Sequence, residues 1–184
     1  MAVLTIVRLG HPALRTPAEA VPPERITDPE MQTLVDDLVD TMRDGQGVGL
    51  AAPQVGISQQ IFVWASVDPD QPVEDPPVRA IFNPAIDILS RDTVHEWEGC
   101  LSIPDLRGLV PRVPVIRLRG FDRDGARVDD RLENYEARIV QHEFDHLNGM
   151  IFLDRMRDLR SLSFGAEWEE FMTSDDEADA RSVG

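Results

Sequence analysis

Gln141-His142-Glu143-Phe144-Asp145-His146-Leu147-Asn148-Gly149 is the stretch on which the reading of this chain turns. At 3.6 residues per turn, His142 and His146 project from adjacent turns of one helical face and can share a metal ion. Glu143 sits about 60 degrees around the helix from His146, beside the ligand face but off it, where a carboxylate reaches an ion's water without entering the coordination sphere. Leu132, Tyr135 and Ile139 lie along the same face as the histidines. The pattern therefore predicts a helix over about Leu132 to Leu147, with Asn148-Gly149 as its stop signal. Two imidazoles do not complete a catalytic site, which needs a third protein ligand and an open position. A surface position on an amphipathic helix is a fair reading of a single histidine but a poor one of this pair, whereas spacing alone leaves Glu143 readable as a solvated helix residue.

Cys100 is the candidate third ligand. It is the only cysteine, so it forms no internal disulfide, and its use is packing, nucleophilicity or ligation. Its setting is Glu98-Gly99-Cys100-Leu101-Ser102, where Gly99 allows close backbone approach at a strand end. A lone cysteine is also commonly a small buried hydrophobe, and His11 and His95 remain alternative ligands. A third constellation, Gly47-Val48-Gly49-Leu50-Ala51-Ala52-Pro53-Gln54, combines small residues that let a ligand lie against the backbone with a side-chain amide donor in Gln54. By itself it reads as a tight loop between helix and strand.

Outward from these segments, Met31, Leu34, Val35, Leu38, Val39 and Met42 recur at helical spacing and predict a helix from about Asp28 to Arg43. Thr27 and Glu30 have capping-box spacing, Asp28 before Pro29 is a competing cap, and Gly45 is placed to end the helix in a left-handed conformation. Strands are expected at Ile61 to Ala65, Arg79 to Ile86, Thr93 to Leu101, Val113 to Phe121 and Ala126 to Asp130, with antiparallel pairing. Ser66 to Pro77, rich in proline and acids, reads as an exposed loop. Met156 to Met172 carries a further helical pattern that Gly165 interrupts. Residues 173–184 read as an acidic, disordered tail after a single catalytic domain over residues 1–172.

Composition narrows the function. At 184 residues and 42% hydrophobic, the chain is long enough for one buried core. Its formal net charge of -16, from 34 acidic and 18 basic residues, opposes binding to DNA or an anionic membrane. Every basic residue is Arg, which excludes Schiff-base chemistry and a P-loop phosphate contact. No stretch approaches the roughly 20 apolar residues of a membrane span and no charged leader precedes the domain, so a bacterial cytoplasmic protein is expected.

Taken together, Gly47 to Gln54, Glu98 to Ser102 and His142 to His146 occur in the order and approximate separation found in peptide deformylases, and the chain resembles that family from about Val3 to Phe171. Ile6 to Pro12, Leu14-Arg15, Ile103-Pro104, Arg107 to Arg112, Asn148-Gly149 and Phe152 to Asp154 add to the likeness. The resemblance implies an α+β fold with antiparallel β-sheets around a central helix carrying the histidines, plus an N-terminal and a C-terminal helix. It implies metal ligation by Cys100, His142 and His146, acid/base work by Glu143, and oxyanion stabilisation by Gln54 and the Leu101 backbone N–H. It further implies substrate contacts from Val48, Gly49, Gly99 and Arg107, and hydrolysis of the formyl group from the N-terminal formylmethionine of nascent polypeptides. Fe2+ is the implied ion, with Zn2+ or Ni2+ replacing it in purified protein.

Tyr135, Ile139 and Val48 are expected to wall the methionine pocket, with Arg138 at its rim. Some family members dock on the ribosome through a basic C-terminal helix; here Glu167 to Gly184 carries seven acids and one arginine, so only transient ribosome association, by another route, is expected. Two rival readings are a metallopeptidase, which shares the histidine pair, and an inactive metal-binding relative, which the intact Glu143 and Gln54 oppose.

Overall fold

The computed structural model describes residues 2–67 and 73–172. The apolar periodicity of the N-terminal half produces helix α1, Pro29–Asp44, which buries Met31, Leu34, Val35, Leu38 and Met42. Asp28 occupies its N-cap position, but its side chain makes no capping bond; it is taken by Arg25, 3.2 Å away. Contrary to expectation, Gly45 is not left-handed (φ -75). The chain reverses one residue later, with Gln46 at φ 55 and the Gly47 N–H donating to Met42 O at 2.8 Å.

The strands are β1 Gly49–Ala51, β2 Ile61–Ala65, β3 Val78–Ile88, β4 Val94–Cys100, β5 Ile103–Arg112, β6 Val115–Phe121, β7 Arg127–Glu133 and β8 Ser163–Phe164. They form a five-stranded sheet in the order β1-β2-β3-β6-β7 and a three-stranded sheet in the order β4-β5-β8, all pairs antiparallel. The expected strands are present; β1, β5 and β8 are additional. β7 runs on through Leu132, so the histidine helix α2 spans Asn134–Leu147 and starts two residues later than expected. Gly149, left-handed at φ 70, follows its end as the stop signal requires.

Strand β2 explains the layering. All five of its residues are buried, and because side chains alternate across a sheet, Ile61, Val63 and Ala65 join the cluster containing α1 while Phe62 and Trp64 join the one containing Ala137, Ile139, Val140 and Leu147 of α2. The larger sheet is thus covered by a helix on each face. A third cluster joins Cys100, Ile103 and Val110 of the smaller sheet to Ile151 and Phe152 just beyond α2, and Arg138 of α2 bonds to Val94 O and Val110 O of that sheet, so α2 lies between the two sheets as the central helix. Complete burial of Phe62 or Trp64 contributes about 2–3 kcal/mol each by area.

The C-terminal pattern is only half helical. After the short helix α3, Phe152–Arg155, the chain runs irregularly to β8, and helix α4 covers Gly165–Phe171. Gly165 begins that helix instead of interrupting one, because Phe164 and Ser163 pair with Leu106 and Arg107 of β5. The described part of the expected proline-rich loop, residues 66–67 and 73–77, is neither helix nor strand. Residues 68–72 and the expected tail, 173–184, lie outside the described residues.

Candidate metal centre and its cleft

The three candidate ligands arrive from two directions. Cys100 ends β4, and His142 and His146 face it from α2. Their ligand atoms all lie within 4.8 Å of one another, with Cys100 Sγ 3.3 Å from His146 Nε2 and the two imidazole centroids 5.1 Å apart. Sulfur with two nitrogens is a donor set for a borderline-soft transition ion. His11 and His95 are not part of the group. His11 is exposed, its Nδ1 accepting from Ala13 N at 3.2 Å, and His95 pairs with Pro111 along β4.

The residue that sequence reasoning left without a role is Glu98. Its Oε2 lies 2.9 Å from His142 Nδ1, which fixes that ring and leaves Nε2 as the nitrogen turned toward Cys100 and available to an ion. Arg112 holds both carboxylate oxygens, at 2.9 and 3.0 Å, and reaches Asp145 at 2.5 Å. Arg155 closes the chain on Asp145 at 2.6 Å. Arg138, expected at the rim, lines the cleft but is buried. Its guanidinium donates to Glu98 at 2.7 Å, to Val110 O at 2.9 Å and to Val94 O at 2.8 Å, so its charge is spent inside the protein.

Glu98 and Cys100 lie two residues apart on β4, whose register against β5 shifts between them, and both reach the helix of the histidines, Glu98 at His142 and Cys100 at His146.

Burial opposes ionisation of Glu98, but its hydrogen bonds to His142 and Arg112 prevail and hold its carboxyl far below the usual carboxylate range. Arg112, also resisted by burial, is raised by Glu98 and Asp145. For the two imidazoles burial favours the neutral form. His146 accordingly lies well below its ordinary value, whereas bonds to Cys100 and Glu98 lift His142 above it.

Glu143 faces the same centre. Burial pushes its carboxyl up to about 7, partly offset by His142, and its Oε2 is buried without a hydrogen-bond partner among the described residues. Gly49 lies directly against it: a Cβ there would stand 2.8 Å from Glu143 Cδ and 2.9 Å from Cγ. The glycine is required by close approach, not by backbone angle. Gln54 Oε1 accepts from Ala51 N at 2.8 Å, which turns the amide so that Nε2 points at Cys100 Sγ, 3.5 Å away. Leu101 occupies the turn after Cys100 and packs its side chain against Gly45 and Gly47.

These residues line a cleft of about 580 Å³. Its walls include Val48, Gly49, Gln54, Gly99, Arg107, Tyr135 and Ile139, so the expected pocket residues are gathered there. β1 and β4 are edge strands of their respective sheets, and both border the cleft through Gly49 and Gly99. An extended peptide entering between them meets unpaired backbone on either side. Trp97 and Trp168 also line the cleft and were not expected from the sequence.

The extended N-terminal segment ties the site's loops together. Val7 N donates to Gln54 O at 2.8 Å and Leu9 N to Ser102 O at 2.9 Å.

Comparison with known proteins agrees with this geometry. Residues 3–161 match the family model described as polypeptide deformylase. Peptide deformylase 1 of Bordetella pertussis is 43% identical over 161 residues, covering 86% of this chain and 90% of that protein. Peptide deformylase 2 of a Nostoc species is 42% identical over 175 residues, covering 93% and 96%. Among solved structures, a class I type b peptide deformylase from Acinetobacter baumannii with Met-Ala-Ser bound superposes with a TM-score of 0.79 at 35% identity, covering 84% of this chain and 99% of that one. A Synechococcus elongatus peptide deformylase in complex with actinonin gives 0.76 at 35% identity, covering 86% and 81%.

Proposed function

The chain belongs to the polypeptide deformylase family, and from that premise we infer that it removes the formyl group from the N-terminal formylmethionine of nascent polypeptides, releasing formate. The observation that carries this reading is the meeting of Cys100, His142 and His146 beside a buried Glu143. Cys100, His142 and His146 hold one divalent ion, whose chemistry is to polarise a carbonyl oxygen and make water acidic near neutral pH. We assign Fe2+ in the cell, with Zn2+ or Ni2+ in aerobically purified protein.

Glu143 takes a proton from the attacking water as its oxygen bonds to the formyl carbon. The amide of Gln54 and the Leu101 backbone N–H donate to the oxyanion that develops there. Glu143 then gives the proton to the amine nitrogen as the carbon–nitrogen bond breaks. Val48, Gly49 and Gly99 align the peptide as an added strand, Arg107 contacts it farther along, and Tyr135, Ile139 and Val48 receive the methionine side chain. That the Acinetobacter relative binds Met-Ala-Ser supports a peptide in this cleft.

Residues 1–172 form the catalytic domain. No described helix is long and apolar enough to cross a membrane, and the setting we propose is the bacterial cytoplasm, where formylated chains are made. Ribosome association is transient and does not use a basic C-terminal helix, since α4 carries Glu167, Glu169 and Glu170. Salt-sensitive cosedimentation with ribosomes that disappears on truncation at Gly165 would overturn this.

The central test is formate release by anaerobically purified, iron-loaded protein. Formyl-Met-Ala turns over, whereas acetyl-Met-Ala and an internal peptide bond do not; the absence of formate would reject the activity.

A further inference from the structure

One extended segment near the N-terminus is bonded to each of the three segments that build the site. Leu4 and Ile6 pack against the cluster built on α1, and Leu4 N donates to Thr41 Oγ1 at 2.9 Å, which lays the first residues along that helix. The N–H groups that follow are turned toward the site: Val7 N reaches the carbonyl of Gln54, and Leu9 N that of Ser102. Gly10, left-handed at φ 104, then turns the chain into a short 3-10 helix, Pro12–Arg15. Beyond it Ala18 N donates at 2.9 Å to the carbonyl of Leu147, the last residue of α2. The segments that carry Gln54, Leu101 and the histidines are thus all fastened to residues 7–18.

The two oxyanion donors come from different sheets. Gln54 follows β1 of the larger sheet and Leu101 follows β4 of the smaller one, and the register of β4 against β5 shifts just before Cys100. The strand ladders therefore do not fix where the turn of Leu101 and Ser102 lies relative to Gln54. In an extended chain, N–H groups two residues apart point the same way and are roughly 7 Å from each other. Val7 and Leu9 accordingly hold the Gln54 and Ser102 carbonyls at a separation set by covalent geometry. Leu9 does so through its backbone, for the residue is 46% exposed. We propose that Val7 and Leu9 are positioning residues for deformylation, their N–H groups setting the distance between the Gln54 amide and the Leu101 N–H. This rests on the deformylase reading and adds to it a part for the N-terminal strap in the rate. Because the oxyanion exists only as the transition state is approached, a misplaced donor lowers kcat and leaves substrate binding nearly as it was.

The test compares proline with alanine at each position in the iron-loaded full chain, with formyl-Met-Ala as substrate. Proline removes the N–H while remaining compatible with an extended chain, whereas Val7→Ala and Leu9→Ala keep the bond. Val7→Pro and Leu9→Pro are expected to lower kcat by about 10–100-fold, with KM within about twofold and the ion retained. The alanine variants turn over like the native chain. In a Gln54→Ala background Val7→Pro has little further effect, because positions that act through one another are not additive. Equal slowing in both backgrounds, a loss carried by KM, or proline variants as fast as the alanine ones overturns the proposal. If a proline variant does not fold, amide exchange in the native chain decides: a peptidyl hydroxamate at the metal centre slows exchange at Val7 and Leu9, since coupling between two sites is reciprocal, and unchanged exchange overturns it. Should the native chain release no formate, the activity reading fails separately. Exchange needs no turnover and then settles alone whether the strap answers to the site.

Discussion

At Glu143 the protein keeps a carboxyl group in a setting that disfavours its charge and, among the described residues, leaves one oxygen unpartnered. A group so placed is poised to exchange a proton near neutral pH. Glu143→Gln preserves size and removes the proton transfer, so the variant retains close to one ion per chain while kcat falls by about 10²–10⁴-fold; metal content measured beside formate release checks both halves. Gly49→Ala tests the packing that aims the carboxylate. The added methyl displaces a side chain whose Cδ would stand 2.8 Å away, and a shift of that kind costs on the order of 10²-fold in kcat with the ion retained. Turnover equal to the native chain would show that the carboxylate tolerates relocation. At this scale the sequence was readable where chemistry leaves a local pattern, as in the spacing of His142, Glu143 and His146. It was mute where two segments had to meet: neither Glu98 against His142 nor Arg138 turned inward can be inferred without knowing which strand lies beside the helix.

Among the elements, α2 and β4 are joined by charge as well as by apolar contact. Arg112 is the shared counter-ion of Glu98 and Asp145, all three side chains at most 5% exposed. Arg112→Met removes the counter-ion that the two buried carboxylates share, leaving Glu98 to Arg138 and Asp145 to Arg155, and destabilises the fold by about 3 kcal/mol, the lower end for breaking a buried pair, read as a lower denaturant midpoint at unchanged slope. Glu98→Gln has a different signature. It weakens the bond that orients His142, so metal affinity drops by about 10–100-fold with the larger sheet unaffected. The periodic elements were visible in sequence: α1 and β2 follow from their apolar patterns nearly to the residue. β5 escaped because Pro104, Pro111 and a central Gly108 give it the look of a loop, yet it sits between β4 and β8 with Gly108 packed under Met156 and Phe152. The C-terminal helix was overextended for a related reason. Leu159 and Leu162 have helical spacing, but pairing of Ser163 and Phe164 with β5 outweighs a propensity of a few tenths of a kcal/mol per residue.

For the molecule as a whole, the ion proposed to sit between Cys100 of β4 and His142 and His146 of α2 would tie the smaller sheet to the central helix. Binding to the folded chain alone stabilises it by mass action, by about 4 kcal/mol at a thousand dissociation constants of free ion. Chelation is therefore expected to lower Tm, readdition of metal to restore it, and Cys100→Ala to abolish the difference; a Tm indifferent to chelator would mean that the ion has no part in stability. A second global tie is the Arg15–Asp154 ion pair. Burial raises the Asp154 carboxyl but Arg15 outweighs it, leaving the group below its ordinary 3.8. Its contribution is present above that pH and disappears as acid carries the solution through the lower folded value. Asp154→Asn flattens the acid limb of the stability curve.

The N-terminal strap has one more implication. Leu9 is bonded to Ser102, and Arg15 meets a partner 139 positions downstream, so the segment made first is fastened by segments made much later. Closing such long loops is slow relative to local helix formation. The front end is therefore expected to be fastened only after Asp154 has been made, and a deletion that removes Leu9 and Arg15 is expected to slow refolding more than it changes the metal centre.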